Sequence, residues 1–208
     1  MAKNQTIDKN AYHHGDLRAE LLRAAETVLS ENGIEAFSLR AVAKRAGVSH
    51  GAPAHHFNDV KGLLTALATI GYERFIETQN ARQRNADTDP RAQLAASGLG
   101  YIDFALENPA LFQLMFSSQK PDKSDSSLAA VADAAFEKLV DDVGNVHQSN
   151  PHENPAMMQD VMAAWAIVHG MADLMIAGRT GRALPFGNMD DSQRDATLSD
   201  LILRSIGE

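Results

Sequence analysis

The side chains best placed to do chemistry lie in Ser38–Phe57, SLRAVAKRAGVSHGAPAHHF, and at Lys61 just beyond it. Ser38 and Ser49 each precede a short helical run. There a hydroxyl accepts a hydrogen bond from the free N–H groups of the first turn. The same hydroxyls and N–H groups can hold a phosphate. Arg40 and Lys61 supply positive charge for the same purpose. His50, Gly51, Ala52 and His55 open the second run, where side chains at a helix end can reach base edges in a major groove. His56 stands beside Phe57 and either packs there or joins the contacts.

Other chemistries are poorly served. Five of the eight histidines (His13, His14, His50, His55 and His56) fall in the first part of the chain, and imidazole is a common metal ligand. Yet no carboxylate sits at ligand spacing, no HExxH occurs and there is no cysteine, so no metal and no cofactor are expected. GxSxG, P-loop and GxGxxG motifs are absent, and Gly98-Leu99-Gly100 is too short for a phosphate loop. An enzyme remains the weaker alternative.

The elements that position these residues read as helices throughout. Leu17, Leu21, Leu22, Ala25, Val28 and Leu29 recur at helical spacing, with Asp16 as N-cap and Gly33 as stop. Ser38 caps a second helix over 39–46, broken by Gly47. Ser49 is expected to cap a third over 50–56, with Pro53 in its first turn. Val42 and Val48 can fill the space between these two, and Ala43 permits their close approach. This is a helix-turn-helix pattern, although capping alone leaves a plain αα corner open. Further helices are expected over 60–84, 90–107, 110–116, 128–143, 156–177 and 192–206, with an irregular Gly/Pro-rich stretch over 178–191. The fold class is therefore all-α with about nine helices.

Charge divides the chain. Residues 1–61 carry eight cations against seven carboxylates, whereas 62–208 carry eleven against twenty. The overall net charge of −8 argues against nucleic-acid binding, but this asymmetry suggests two modules with different partners. No apolar run approaches the ~18 residues of a membrane span, and Met1–Asn10 has no apolar core of a secretory signal. No membrane partner and a cytoplasmic location are expected. In the second part Tyr101, Phe104, Phe112, Met115, Phe116 and Trp165 are large or soft side chains on separate helices. They are either ordinary core or the lining of an apolar pocket. His169 interrupts the apolar stripe of Met158, Val161, Met162, Trp165, Val168 and Ala172. It is either a satisfied core histidine or a polar ligand anchor.

AVAKRAGVSHGAPAHHF, followed by Val60–Leu64, resembles the DNA-binding domain of the TetR family of transcriptional regulators, as do the preceding helix and Asn32-Gly33. YHHGDLR at Tyr12–Arg18 is similar to the lead-in of one branch. Trp165-Ala-Ile-Val-His169-Gly170 resembles that branch's Trp-His-Gly motif in the C-terminal domain. Two positions depart from the family pattern. Ala54 replaces a tyrosine and Val60 a lysine, both of which would contact phosphate; His55, His56 and Lys61 are expected to compensate in part.

Residues 1–11 are polar and read as a disordered arm; the resemblance implies a homeodomain-like helix-turn-helix domain over 12–60 and an effector-binding and dimerisation domain over 61–208. Its partners would be a double-stranded DNA operator, a second copy of the chain, and a small-molecule effector whose binding releases the operator. It favours Trp165 and His169 as effector contacts. It also implies a homodimer joined through the last two long helices, with Met162, Ala166, Gly170, Leu198, Leu201 and Ile202 in the interface. A regulator without a ligand, activating or controlled by a protein partner, is the alternative.

Overall fold

Short-range signals account for most helix ends in the computed structural model, which describes residues 14–206. Ser38 Oγ accepts the Ala41 N–H (3.3 Å) and starts α2, Leu39–Ala46. Gly47, at φ 69°, ends it in the left-handed region that glycine enters without a Cβ clash, and the Val48 N–H closes onto the Ala43 carbonyl (3.0 Å). Gly33, at φ 72°, ends α1, His14–Asn32, in the same way. Asp59 caps α4, Val60–Arg84 (Oδ1 to Gly62 N–H, 2.8 Å), and Asp89 caps α5, Pro90–Glu107. Asp125 caps α7, Ser126–His147. Asp190 forms a capping box with Gln193 at the start of α9, Asp191–Leu203. Prolines occupy the first turns of α3, Ala52–Phe57; α6, Pro109–Phe116; and α8, Pro155–Ile176.

Nine α-helices and no strand occur among the described residues, as the sequence predicts. Several boundaries differ, among them the end of the last helix, which stops at Leu203 and not at 206. The first helix begins at His14, so Asp16 lies inside its first turn and is not its cap. The third begins at Ala52 with Gly51 as N-cap, because the Ser49 carbonyl accepts the Ala52 N–H (3.0 Å) in a backbone turn; Ser49 caps nothing. The seventh runs on to His147, where Gln148 in the left-handed region stops it. The arm predicted over 1–11, with Tyr12 and His13, lies outside the described residues.

One apolar core spans most of the molecule. Leu21, Ala25, Val28 and Leu29 of α1, Val42 of α2 and Phe57 of α3 close over Leu63, Leu64 and Leu67 at the start of α4. The same cluster continues through Phe75 of α4 to Tyr101, Phe104, Phe112, Leu114 and Val168. The boundary predicted between 60 and 61 thus falls in the first turn of a helix that serves both ends. Arg82 ties α4 to α5 and α9 through Asp103 (2.5 Å) and Asp195 (2.6 Å).

Helices α4 and α5 touch backbone to backbone at Gly100. A Cβ there would lie 2.6 Å from Gln79 Cα and 2.9 Å from the Thr78 carbonyl oxygen. Neither atom can move without displacing α4. Gly100→Ala is therefore expected to lose about 1–3 kcal/mol of stability by overpacking, measured by denaturant unfolding. An unchanged midpoint would contradict this close crossing.

Candidate nucleic-acid interface and effector cavity

The helix-turn-helix is held from behind. Val42, Ala43, Pro53 and Phe57 are buried, which turns the opposite faces of α2 and α3 outward. Arg18 of α1 lies over the Phe57 ring, 5.0 Å from its centroid. Arg45 pairs with Glu31 and so fixes α2 to α1. On the outer side, Arg40, Lys44, Ser49, His50, Gly51 and His55 are exposed. Arg40 and Lys44 pair with no carboxylate among the described residues. Ser38 and Ala52 are half-buried. His56 is also half-buried, its ring 6.3 Å from that of Phe57, which is the packed alternative. Ala54 and Val60 are half-buried too.

Lys61 is placed differently from the expectation. Its Nζ lies 2.8 Å from Asp122 Oδ2, in the loop between α6 and α7. This ammonium, with Ser124, holds the Asp122 carboxyl down at about 2, so that carboxylate is ionised at any physiological pH. The Asp122 N–H donates to Thr65 Oγ1 (2.8 Å), and Lys120 donates to the Ile34 carbonyl (3.0 Å) and pairs with Glu35 (2.9 Å). The loop over 117–125 therefore straps the helix-turn-helix end of the molecule to the helical body. Sequence spacing could not reveal this, because the partners are far apart along the chain.

In the body, a cavity of about 230 Å³ lies among α4, α5, α7 and α8. Of the predicted ligand residues, Tyr101, Phe116 and Trp165 line it. Phe104 and Phe112 do not: both are fully buried behind the wall, with ring centroids 5.4 Å from Phe75 and 5.8 Å from Tyr101 respectively. Met115 lines an adjoining recess of about 340 Å³, beyond Tyr72, Phe116 and Trp165. His169 also stays out of the wall. Its Nδ1 is hydrogen-bonded to the Tyr101 hydroxyl (2.7 Å), and its Nε2 lies 3.7 Å from Asp173. Burial pushes the Tyr101 phenol well above its ordinary range, so that hydroxyl keeps its proton. His169 thus orients a wall residue.

Several lining residues are not legible in the sequence. Tyr72, Phe75 and Gln79 come from α4, which is apolar on several sides because it packs against most of the molecule. Gln79 and Ser97 are buried and bonded to each other (Ser97 Oγ to Gln79 Oε1, 2.9 Å). A buried polar pair on otherwise apolar helices is the one available signal. Phe136 and the exposed Asp133 enter from α7.

The outer face of α8 is apolar and uncovered in the protomer. Met162 is 50% exposed and Leu174 43%; Ala166 is exposed, and a Cβ on Gly170 would meet nothing. Leu198 and Ile202 do not belong to such a face. They are 2% and 1% exposed, packed respectively with Leu99 and Ile102, and against Gly98 and Val168. They are protomer core, which corrects their assignment to a subunit interface. Leu201 is half-buried. Among the described residues no helix is long and apolar enough to cross a membrane, and no group of histidines and carboxylates could hold a metal ion.

Residues 94–198 match the family described as "Tetracyclin repressor-like, C-terminal domain", and residues 21–67 match "Bacterial regulatory proteins, tetR family". The chain is 26% identical over 188 residues to the HTH-type transcriptional regulator BetI of Stenotrophomonas maltophilia, covering 87% of this chain and 95% of that protein. It is 34% identical to BetI of Paraburkholderia phytofirmans over 79 residues, 38% of this chain and 40% of the relative. Among solved structures, a protein of unknown function from Rhodococcus sp. RHA1 aligns with TM-score 0.77 and 29% identity over 96% of this chain and 100% of that one. A TetR-like transcriptional regulator from the same organism shares the fold at TM-score 0.65 and 17% identity, covering 92% of this chain and 97% of that one. With matches at both ends of the chain, a helix-turn-helix on a shared core and an all-α body, the protein belongs to the TetR family of transcriptional regulators and is not an enzyme.

Proposed function

We propose that the chain is a homodimeric repressor. In this reading residues 12–60 bind a pseudo-palindromic operator, and 61–208 dimerise and take a small-molecule effector that weakens operator binding. The observation that carries it is the continuity of α4. One 25-residue helix packs against α1 and α3 at its start and supplies Tyr72, Phe75 and Gln79 to the cavity further on. A ligand that shifts α4 at the cavity must shift the helix-turn-helix. The strap over 117–125, which leaves the cavity at Phe116, gives a second route.

Dimerisation through the outer face of α8 fits the same reading. Met162, Ala166, Gly170 and Leu174 form one stripe, and its small residues permit close approach of the α8 helices of two copies. A two-fold pair of recognition helices then matches half-sites about one DNA turn apart.

Binding assays on the protein's own upstream DNA test this. Arg40→Ala and Lys44→Ala are expected to weaken all sequences alike and to reduce the log–log salt slope by about 0.9 for each phosphate no longer neutralised. His50→Ala is expected to cost about 1–3 kcal/mol at particular base pairs. Lys61→Ala should affect affinity less than Arg40→Ala, because Lys61 is held by Asp122. Uniform loss across operator variants for His50→Ala would make it a backbone contact.

A further inference from the structure

We propose, resting on the effector reading above, that the cavity takes a compact organic cation, held by aromatic rings on one side and the carboxylate of Asp133 at its mouth. Six rings line the space. Tyr72, Phe75, Tyr101 and Phe116 form one cluster, mostly edge-to-face, with centroids 4.8–6.4 Å apart between contacting pairs. Phe136 and Trp165, 6.0 Å apart, make a second group from α7 and α8. Aromatic faces carry negative potential and attract cations, tryptophan most strongly.

The polar groups agree in sign. Asp133 is the single charged residue lining the cavity. Lys123 borders the adjoining recess but not this space. No lining side chain could neutralise an anion. The buried hydroxyl of Tyr101 is already hydrogen-bonded to His169 and that of Ser97 donates to Gln79, so the wall offers an anion few donors and no positive charge. The surrounding body is acidic, with twenty carboxylates against eleven cations over 62–208, which adds a field of the same sign. An uncharged apolar ligand would use the rings but would leave the Asp133 field without effect. An anion would meet repulsion from Asp133 and the acidic body, with no cation in the wall to offset it.

The test uses three compounds of nearly equal size: benzylammonium, benzyl alcohol and benzoate. Binding to the full-length protein is followed by calorimetry and by fluorescence of Trp165, the chain's one tryptophan. Benzylammonium is expected to bind at least about tenfold tighter than benzyl alcohol, with benzoate weakest. Asp133→Asn, an exposed substitution that leaves the fold undisturbed, is expected to remove much of that preference while benzyl alcohol binds as before. Phe136→Leu should weaken the cation more than the alcohol. Benzoate or benzyl alcohol binding as tightly as benzylammonium would overturn the proposal and leave the effector reading standing. So would a cation preference unchanged in Asp133→Asn. Failure of all three to bind at millimolar concentration would overturn both.

Discussion

Glutamate in place of both Met162 and Leu174 is expected to give a folded monomer whose operator affinity falls by about 10²–10⁴. The two side chains are half exposed on the outer face of α8, so charging them leaves the protomer core intact. A two-fold operator rewards simultaneous engagement, and the loss on uncoupling the halves is that of effective concentration. Sedimentation should report the monomer, and denaturant unfolding at matched protomer concentration should show a protomer that still folds. Ile202→Glu is expected to behave differently. Its side chain is 1% exposed against Gly98 and Val168, and an unpaired buried charge there should leave little folded protein. A double variant that remains a dimer with unchanged affinity would place the interface elsewhere.

Phe104→Ala is expected to remove about 3–5 kcal/mol of stability, a large part of the ~5–15 kcal/mol typical of a domain. The ring is fully buried against Phe75, which belongs to the cluster that also contains Leu29, Val42 and Phe57. Because the helix-turn-helix shares that cluster through α4, its helices should melt together with the body. Fluorescence of Trp165 and far-UV circular dichroism should therefore give coincident denaturant transitions in the wild type and the variant. A helix-turn-helix that stays folded after the tryptophan signal is lost would show two separable units.

The parts of the fold legible in the sequence are those decided by neighbouring residues. Ser38 and Gly47 bracket α2 because a cap and a left-handed stop act over three or four positions. Ser49 looks equivalent, but a backbone turn already satisfies the Ala52 N–H, so its hydroxyl is left outside. The apolar stripe of α9 is visible at Leu198 and Ile202. Periodicity says which face is apolar and not whether the same chain covers it, and α5 and α8 cover this one. The cavity shows the same limit. Tyr101, Phe116 and Trp165 are found by type, but so are Phe104 and Phe112, which differ from them only in what lies beyond the ring. His169 stands out as a polar group in an apolar stripe. Its role in holding Tyr101 depends on a helix 68 residues earlier in the chain. Lys61 is read from local charge, while its partner Asp122 sits across the fold.

The most direct test couples the two ends of α4. Fragments of the protein's own upstream DNA that it retains supply the operator, and a compound that alters Trp165 fluorescence supplies the ligand. Operator affinity is then measured by anisotropy with and without saturating ligand. Coupling through α4 predicts a weakening of about 5–150-fold, equal to about 1–3 kcal/mol, and the same factor in ligand affinity when operator is present. A ligand that occupies the cavity and leaves operator affinity unchanged would contradict it.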